Sequence, residues 1–229
     1  CYLILTGIYA ASLVLNACME RTPHDISVRL SASVRDFALQ VRDLFSGPRL
    51  GKVLIGTTLF WICGAAMKIN FQAWGLDVLK LPNNTQISLL GLWLSVGVMA
   101  GSLAAGRFYR VSDLRHTHFF GLLLALALVG LFAIEPLGLV DLGRRLIESG
   151  ATDGPPNLLL VILPTVTTLL ILTGMAAGLF LIPLNAALQA ESDPQKLGKT
   201  IAVQNLCDNL GMILAGILVL TCVKTGLSS

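Results

Sequence analysis

The chain has 229 residues, of which 55% are apolar and only 13% charged, with a formal net charge of +3; its mean hydropathy is +0.78. An average soluble domain carries roughly 25% charged residues, so these charges are too few to cover a water-facing surface of this size. The composition excludes a disordered chain, a nucleic-acid-binding module and an ordinary soluble enzyme. It leaves an all-α polytopic membrane protein.

The chain opens at Cys1 and runs at once into an apolar stretch, and Gly226–Ser229 follow closely on another. With no basic leader region and no cleavage site in view, it reads as a fragment cut at both ends. A spanning helix needs about 20 mostly apolar residues. Six stretches qualify: 1–19, 53–73, 87–109, 117–134, 158–183 (with helix continuing toward Gln189) and 200–222. Between the first two lies 20–52, where Leu30, Val34, Phe37, Val41 and Leu44 alternate at spacings of four and three with Arg35, Asp36, Arg42 and Asp43 between them. That pattern predicts an amphipathic helix too charged to span. It would lie along the membrane surface or under the helix bundle, or form a solvated linker. Between the fourth and fifth spans, 135–157 is rich in Gly and Pro, with a short surface helix expected from Leu139 to Glu148.

The basic residues set the orientation. Segments 20–52, 107–116 and 190–199 carry eleven Lys and Arg, whereas the opposite side carries Lys80, Arg144, Arg145 and Lys224. The positive-inside rule places the first three segments in the cytoplasm. One span, a long basic linker and five further spans suit the centre of a twelve-helix transporter built as 6 + 6. The expected domains are then 1–19 as the last helix of the N-terminal half, 20–52 as the cytoplasmic linker, and 53–229 as a C-terminal half lacking its final helix.

Polar side chains inside spans are costly and mark cavities or helix partners. Lys68 is the one basic residue well inside a span, about 22 Å along its helix at 1.5 Å per residue, and Asn70 and Gln72 follow it. It would hold an anionic group or pair with a carboxylate, or else snorkel to the outer interface. The last span opens with Gln204, Asn205, Asp208 and Asn209, two i, i+4 rows on one helix face. They would line a substrate path or bond neighbouring helices. Asp208 lies about 12 Å into its span, shallower than Lys68, so no direct bridge between the two is assumed. Asn185 and Gln189 follow Pro183 and could close the cytoplasmic mouth. Gly97, Gly101 and Ala105, and Gly174 and Gly178, form small-xxx-small rows that predict close helix packing.

No nucleotide loop, zinc motif or nucleophile elbow is present, and the five cysteines contain no C-x-x-C pair. The cysteines read as small buried hydrophobes, and the three histidines as interfacial. No enzyme activity, cofactor or metal is expected of the chain.

The blocks Gly56-Thr-Thr-Leu-Phe-Trp61, Pro183-Leu-Asn-Ala-Ala-Leu-Gln189 and Ile201-Ala-Val-Gln-Asn-Leu206, with Asp208, Asn209 and Met212, resemble the lysophospholipid transporter family of the major facilitator superfamily. The resemblance covers most of 50–222. It implies a multi-pass protein of the bacterial inner membrane. Such a protein moves lysophospholipids such as lysophosphatidylethanolamine to the cytoplasmic leaflet. An acyltransferase/acyl-carrier-protein synthetase, fused or separate, then reacylates them. It also implies that Lys68 holds the basic position of the seventh helix and Asp208 the acidic position of the eleventh. The alternatives are a major facilitator exporter of other small amphiphiles, or the membrane portion of a fused enzyme. The long loop at 135–157 departs from the family pattern and leaves specificity open.

Overall fold

The computed structural model describes residues 2–19, 30–79, 81, 84–109, 114–148 and 158–226. These form eight helices and no strand: α1 (Tyr2–Ala17), α2 (Leu30–Ser46), α3 (Leu50–Asp77), α4 (Asn84–Phe108), α5 (Thr117–Phe132), α6 (Leu139–Glu148), α7 (Leu158–Glu191) and α8 (Leu197–Lys224). Helix is the secondary structure that satisfies every backbone group within its own segment, which hydrocarbon demands. Four helices (α3, α4, α7 and α8) are long and apolar enough to cross a membrane. The chain is therefore a multi-pass membrane protein. The stretches expected to span at 1–19 and 117–134 form apolar helices of 16 residues each. That is about 24 Å of helix, short of a hydrocarbon core of roughly 30 Å.

The chain divides into two compact units, Cys1–Asp36 and Phe37–Ser229, with the division inside α2. In the first, α1 is mostly apolar and carries no charged side chain. In the second, α4 packs along α7, α8 along α3, and α5 along another flank of α7. Pro164 and Pro183 both lie inside α7 without ending it.

The α4–α7 seam is made by the expected glycine rows. A Cβ on Gly97 would stand 2.2 Å from the Ile171 carbonyl oxygen, and one on Gly101 the same distance from the Met175 carbonyl oxygen. From the other side, a Cβ on Gly174 would stand 2.2 Å from the Leu94 carbonyl oxygen, and one on Gly178 2.6 Å from the Ser102 nitrogen. No side chain fits between these backbones, so the two helices meet main chain to main chain. The α3–α8 pair has a looser version at Gly211, whose Cβ would lie 2.9 Å from the Thr58 methyl.

Two apolar clusters close the ends of this second unit. One joins Val78, Leu79, Ile87, Ile134, Val140 and Leu170 where α3, α4, α5, α6 and α7 converge. Here α6 forms over the expected residues, Leu139–Glu148, after Gly138 turns the chain with φ +63°. At the basic end, Leu44, Val53, Leu54, Leu184, Leu188 and Val203 form the other cluster, with Phe37 and Val41 against it. The linker stripe is thus packed on the bundle from Phe37 onward, and the Gln40 side-chain amide donates to the Thr200 hydroxyl at 3.5 Å. Of the three placements open to this helix, the second unit adopts the one under the bundle.

Candidate functional site

Between the two clusters, α3, α4, α5 and α7 enclose a cleft of about 510 Å³. Its walls are largely apolar, with Phe60, Met67, Phe71, Leu94, Val98 and Leu128 among them. Lys68 and Gln72, one turn apart on α3, both line it and both are exposed. Ser95 and Thr173 also reach the cleft. Their hydroxyl protons are given to the Gly91 and Leu169 carbonyls in their own helices. Lys68 and Gln72 therefore supply the strong donors of the cleft. Lys68 makes no ion pair or hydrogen bond with another described residue. Asn70 points instead into an adjoining cavity of about 280 Å³. That cavity shares Met67, Phe71 and Leu128 with the cleft and is otherwise walled by Trp74, Leu131 and Phe132. Phe71 and Trp74 stack with ring centres 6.0 Å apart. Among the described residues the geometry thus offers one cation and one amide set in a largely apolar cleft, a pattern suited to an amphiphile with an anionic head.

The polar face of α8 divides in two. Gln204 and Asp208 are buried, together with Thr200, Val203, Gly211, Ala215 and Val219, along the side that meets α3 and α7. The Thr58 hydroxyl of α3 donates to Asp208 Oδ1 at 3.4 Å, and Gln204 Nε2 donates to Asn185 Oδ1 of α7 at 2.6 Å. Asn205 and Asn209 are exposed on the flank, where the Asn209 amide donates back to the Asn205 carbonyl at 2.7 Å. The physical reason is angular. Successive i, i+4 rows on a helix lie about 100° apart, so a row facing α3 leaves its neighbour turned away. Gln189 is likewise exposed, one turn beyond Asn185.

Thr58 lies ten residues before Lys68 on α3, about 15 Å by helix rise. Because Thr58 holds Asp208, Lys68 and Asp208 belong to different levels, as the sequence depth argument had it. Sequence reasoning missed Thr58 as the carboxylate's partner. The available signal was the Thr57-Thr58 pair in an otherwise apolar span. It also missed the Arg49–Glu191 ion pair of 3.0 Å, which ties the start of α3 to the end of α7; the long separation in sequence leaves no local signal. No group of three or more metal-ligating side chains comes together among the described residues.

No family model matches the chain, and no solved structure matches it. Curated proteins do. The chain is 29% identical over 217 residues to a lysophospholipid transporter of Photorhabdus laumondii, covering 93% of this chain and 48% of that protein. It is 29% identical over 211 residues to the corresponding protein of Serratia proteamaculans, covering 90% and 46%. Against that of Salmonella schwarzengrund it is 28% identical over 215 residues, covering 93% and 47%. The chain spans about half the length of the curated relatives it matches. The resemblance first carried by three short blocks thus extends over nine-tenths of the chain, and its similarity is to the lysophospholipid transporter family.

Proposed function

We propose that the chain forms the last helix of the N-terminal half, the linker and most of the C-terminal half of a twelve-helix major facilitator transporter that carries lysophospholipids across the bacterial inner membrane, toward the cytoplasmic leaflet. The observation that carries this reading is the cleft in which Lys68 and Gln72 are the donors among apolar walls. A lysolipid has one acyl chain and a phosphate-bearing head. Moving the head through hydrocarbon requires a cation and hydrogen-bond donors at depth, while the tail needs only apolar surroundings. Lys68 meets the phosphate and Gln72 bonds the head. Asn70 borders the apolar extension that receives the start of the tail. Asn205 and Asn209, exposed on α8, face the transport path shared with the remaining length of the protein. Gln204 and Asn185 tie α8 to α7, Asp208 is held on α3, and Gln189 borders the cytoplasmic mouth. The product lipid then becomes substrate for an acyltransferase/acyl-carrier-protein synthetase.

The test is flipping by the full-length protein in proteoliposomes. Three probes are compared: a labelled lysophosphatidylethanolamine, a two-chain phosphatidylethanolamine, and a single-chain alkylammonium without phosphate. Transport of the lysolipid alone is expected. Equal movement of the alkylammonium would favour a general exporter of small amphiphiles and overturn the lysolipid reading.

A further inference from the structure

A second cleft lies at the basic end of the bundle, far from Lys68. It holds about 280 Å³ between the start of α3, the approach to α5 and the end of α7. Arg49 and Lys52 stand at its rim, and Val53, Leu114 and Leu184 form its floor. Val53 and Leu184 are buried in the apolar cluster that closes this end. Arg49 and Lys52 are three residues apart, so both point to one side of the helix start. Glu191 pairs with Arg49 at 3.0 Å. Lys52 is exposed and makes no ion pair with another described residue. Arg49 and Lys52 bring two basic side chains to the rim, with Glu191 on Arg49, and this basic edge suits the negative charge of a phosphodiester. The apolar floor beneath suits the glycerol and first methylenes of a lipid rather than a fully hydrated ion. The positive-inside rule puts this end in the inner leaflet, and basic pockets between spanning helices on that side recruit anionic head groups.

We infer that this cleft is a binding site for the phosphodiester head of a resident anionic phospholipid of the inner leaflet, distinct from the transported lipid. The bound head would sit against α3 and α7, the two helices that Arg49 and Glu191 already tie together. The assignment rests on the cleft's own charge and shape, with the side of the membrane taken from the positive-inside rule; it does not rest on the transport reading.

The experiment is native mass spectrometry of the full-length protein with phosphatidylglycerol, phosphatidylcholine or inorganic phosphate added. Flipping is measured in parallel, in vesicles with and without phosphatidylglycerol. A basic side chain near an anionic surface contributes about 1 kcal/mol, which converts to roughly fivefold in affinity. Lys52→Gln should therefore weaken phosphatidylglycerol retention about fivefold, and Lys52→Arg should keep it. Glu191→Gln should strengthen it by a similar factor, because a negative charge leaves the rim. Opposite signs for two neighbouring substitutions are not the result of general misfolding. Lys52→Gln should still flip lysolipid in phosphatidylcholine vesicles, which separates failure here from failure of the transport reading. Equal retention of phosphatidylglycerol by the parent and Lys52→Gln would overturn the proposal. So would inorganic phosphate displacing phosphatidylglycerol at comparable concentration, which would assign the cleft to a free anion.

Discussion

Replacing Gly97 or Gly174 by alanine tests the backbone seam between α4 and α7. At Gly97 the new methyl would begin 2.2 Å from the Ile171 carbonyl oxygen, and at Gly174 2.2 Å from that of Leu94. An ordinary carbon–oxygen contact is over 3 Å, so the helices must part by about 1 Å. The atoms met are main chain, and no rotamer change relieves the clash. Overpacking of this kind costs about 1–3 kcal/mol. Alanine's better helix propensity returns up to roughly 1 kcal/mol, so a net loss of about 1–2 kcal/mol is expected. Gly216 on α8 is the control, because a Cβ there meets nothing within 4 Å; Gly216→Ala should keep or raise stability. Thermal unfolding in detergent, followed by tryptophan fluorescence, measures all three. The Gly97→Ala/Gly174→Ala double variant should lose less than the sum of the singles, because a seam already parted accommodates the second methyl. A Gly97→Ala protein as stable as the parent, beside an unchanged Gly216→Ala, would refute the close seam.

Thr58→Val should remove one hydroxyl donor from the buried Asp208, which keeps Thr57 beside it, costing about 1.5 kcal/mol for a hydrogen bond to a charged group; denaturation of the Thr58→Val, Asp208→Asn and double variants in a cycle would show a coupling near zero if the pair does not act together. Asp208→Asn should insert and express normally while transport falls, and an equal loss of expression would make its role structural. Phe37→Asp drives a charge into the cluster of Leu44, Leu54 and Leu188 and should cost at least about 2 kcal/mol. Its readout is increased cysteine accessibility along 37–46, and an unchanged profile would count against packing under the bundle.

The helical layout was readable because lipid leaves so little choice: apolar runs of sufficient length become helices, and their glycine spacing shows where two can touch. The rows Gly97/Gly101 and Gly174/Gly178 predicted close packing, and the structure pairs them with each other. The stripe Phe37, Val41 and Leu44 predicted an amphipathic helix, but only its partners Val53, Leu188 and Val203 decide what covers it. Periodicity grouped Gln204, Asn205, Asp208 and Asn209 on one face. It could not say which row meets α3, because that depends on the rotation of α8 set by Gly211 against Thr58. Lys68 and Asp208 were each visible as costly charges in apolar runs. The cleft around Lys68 was not, since α4, α5 and α7 contribute Ser95, Leu128 and Thr173 from distant parts of the chain.

The central proposal is that the Lys68 cation meets the lipid phosphate in the cleft. The most direct measurement is the initial flipping rate of lysophosphatidylethanolamine by the full-length protein with Lys68→Gln, beside Lys68→Arg at matched reconstitution. Charge retained with altered donor geometry should leave Lys68→Arg partly active. Lys68→Gln removes the one cation among the cleft's described residues and should abolish flipping with insertion and thermal stability unchanged. Flipping by the Gln variant at the parent rate would contradict the account.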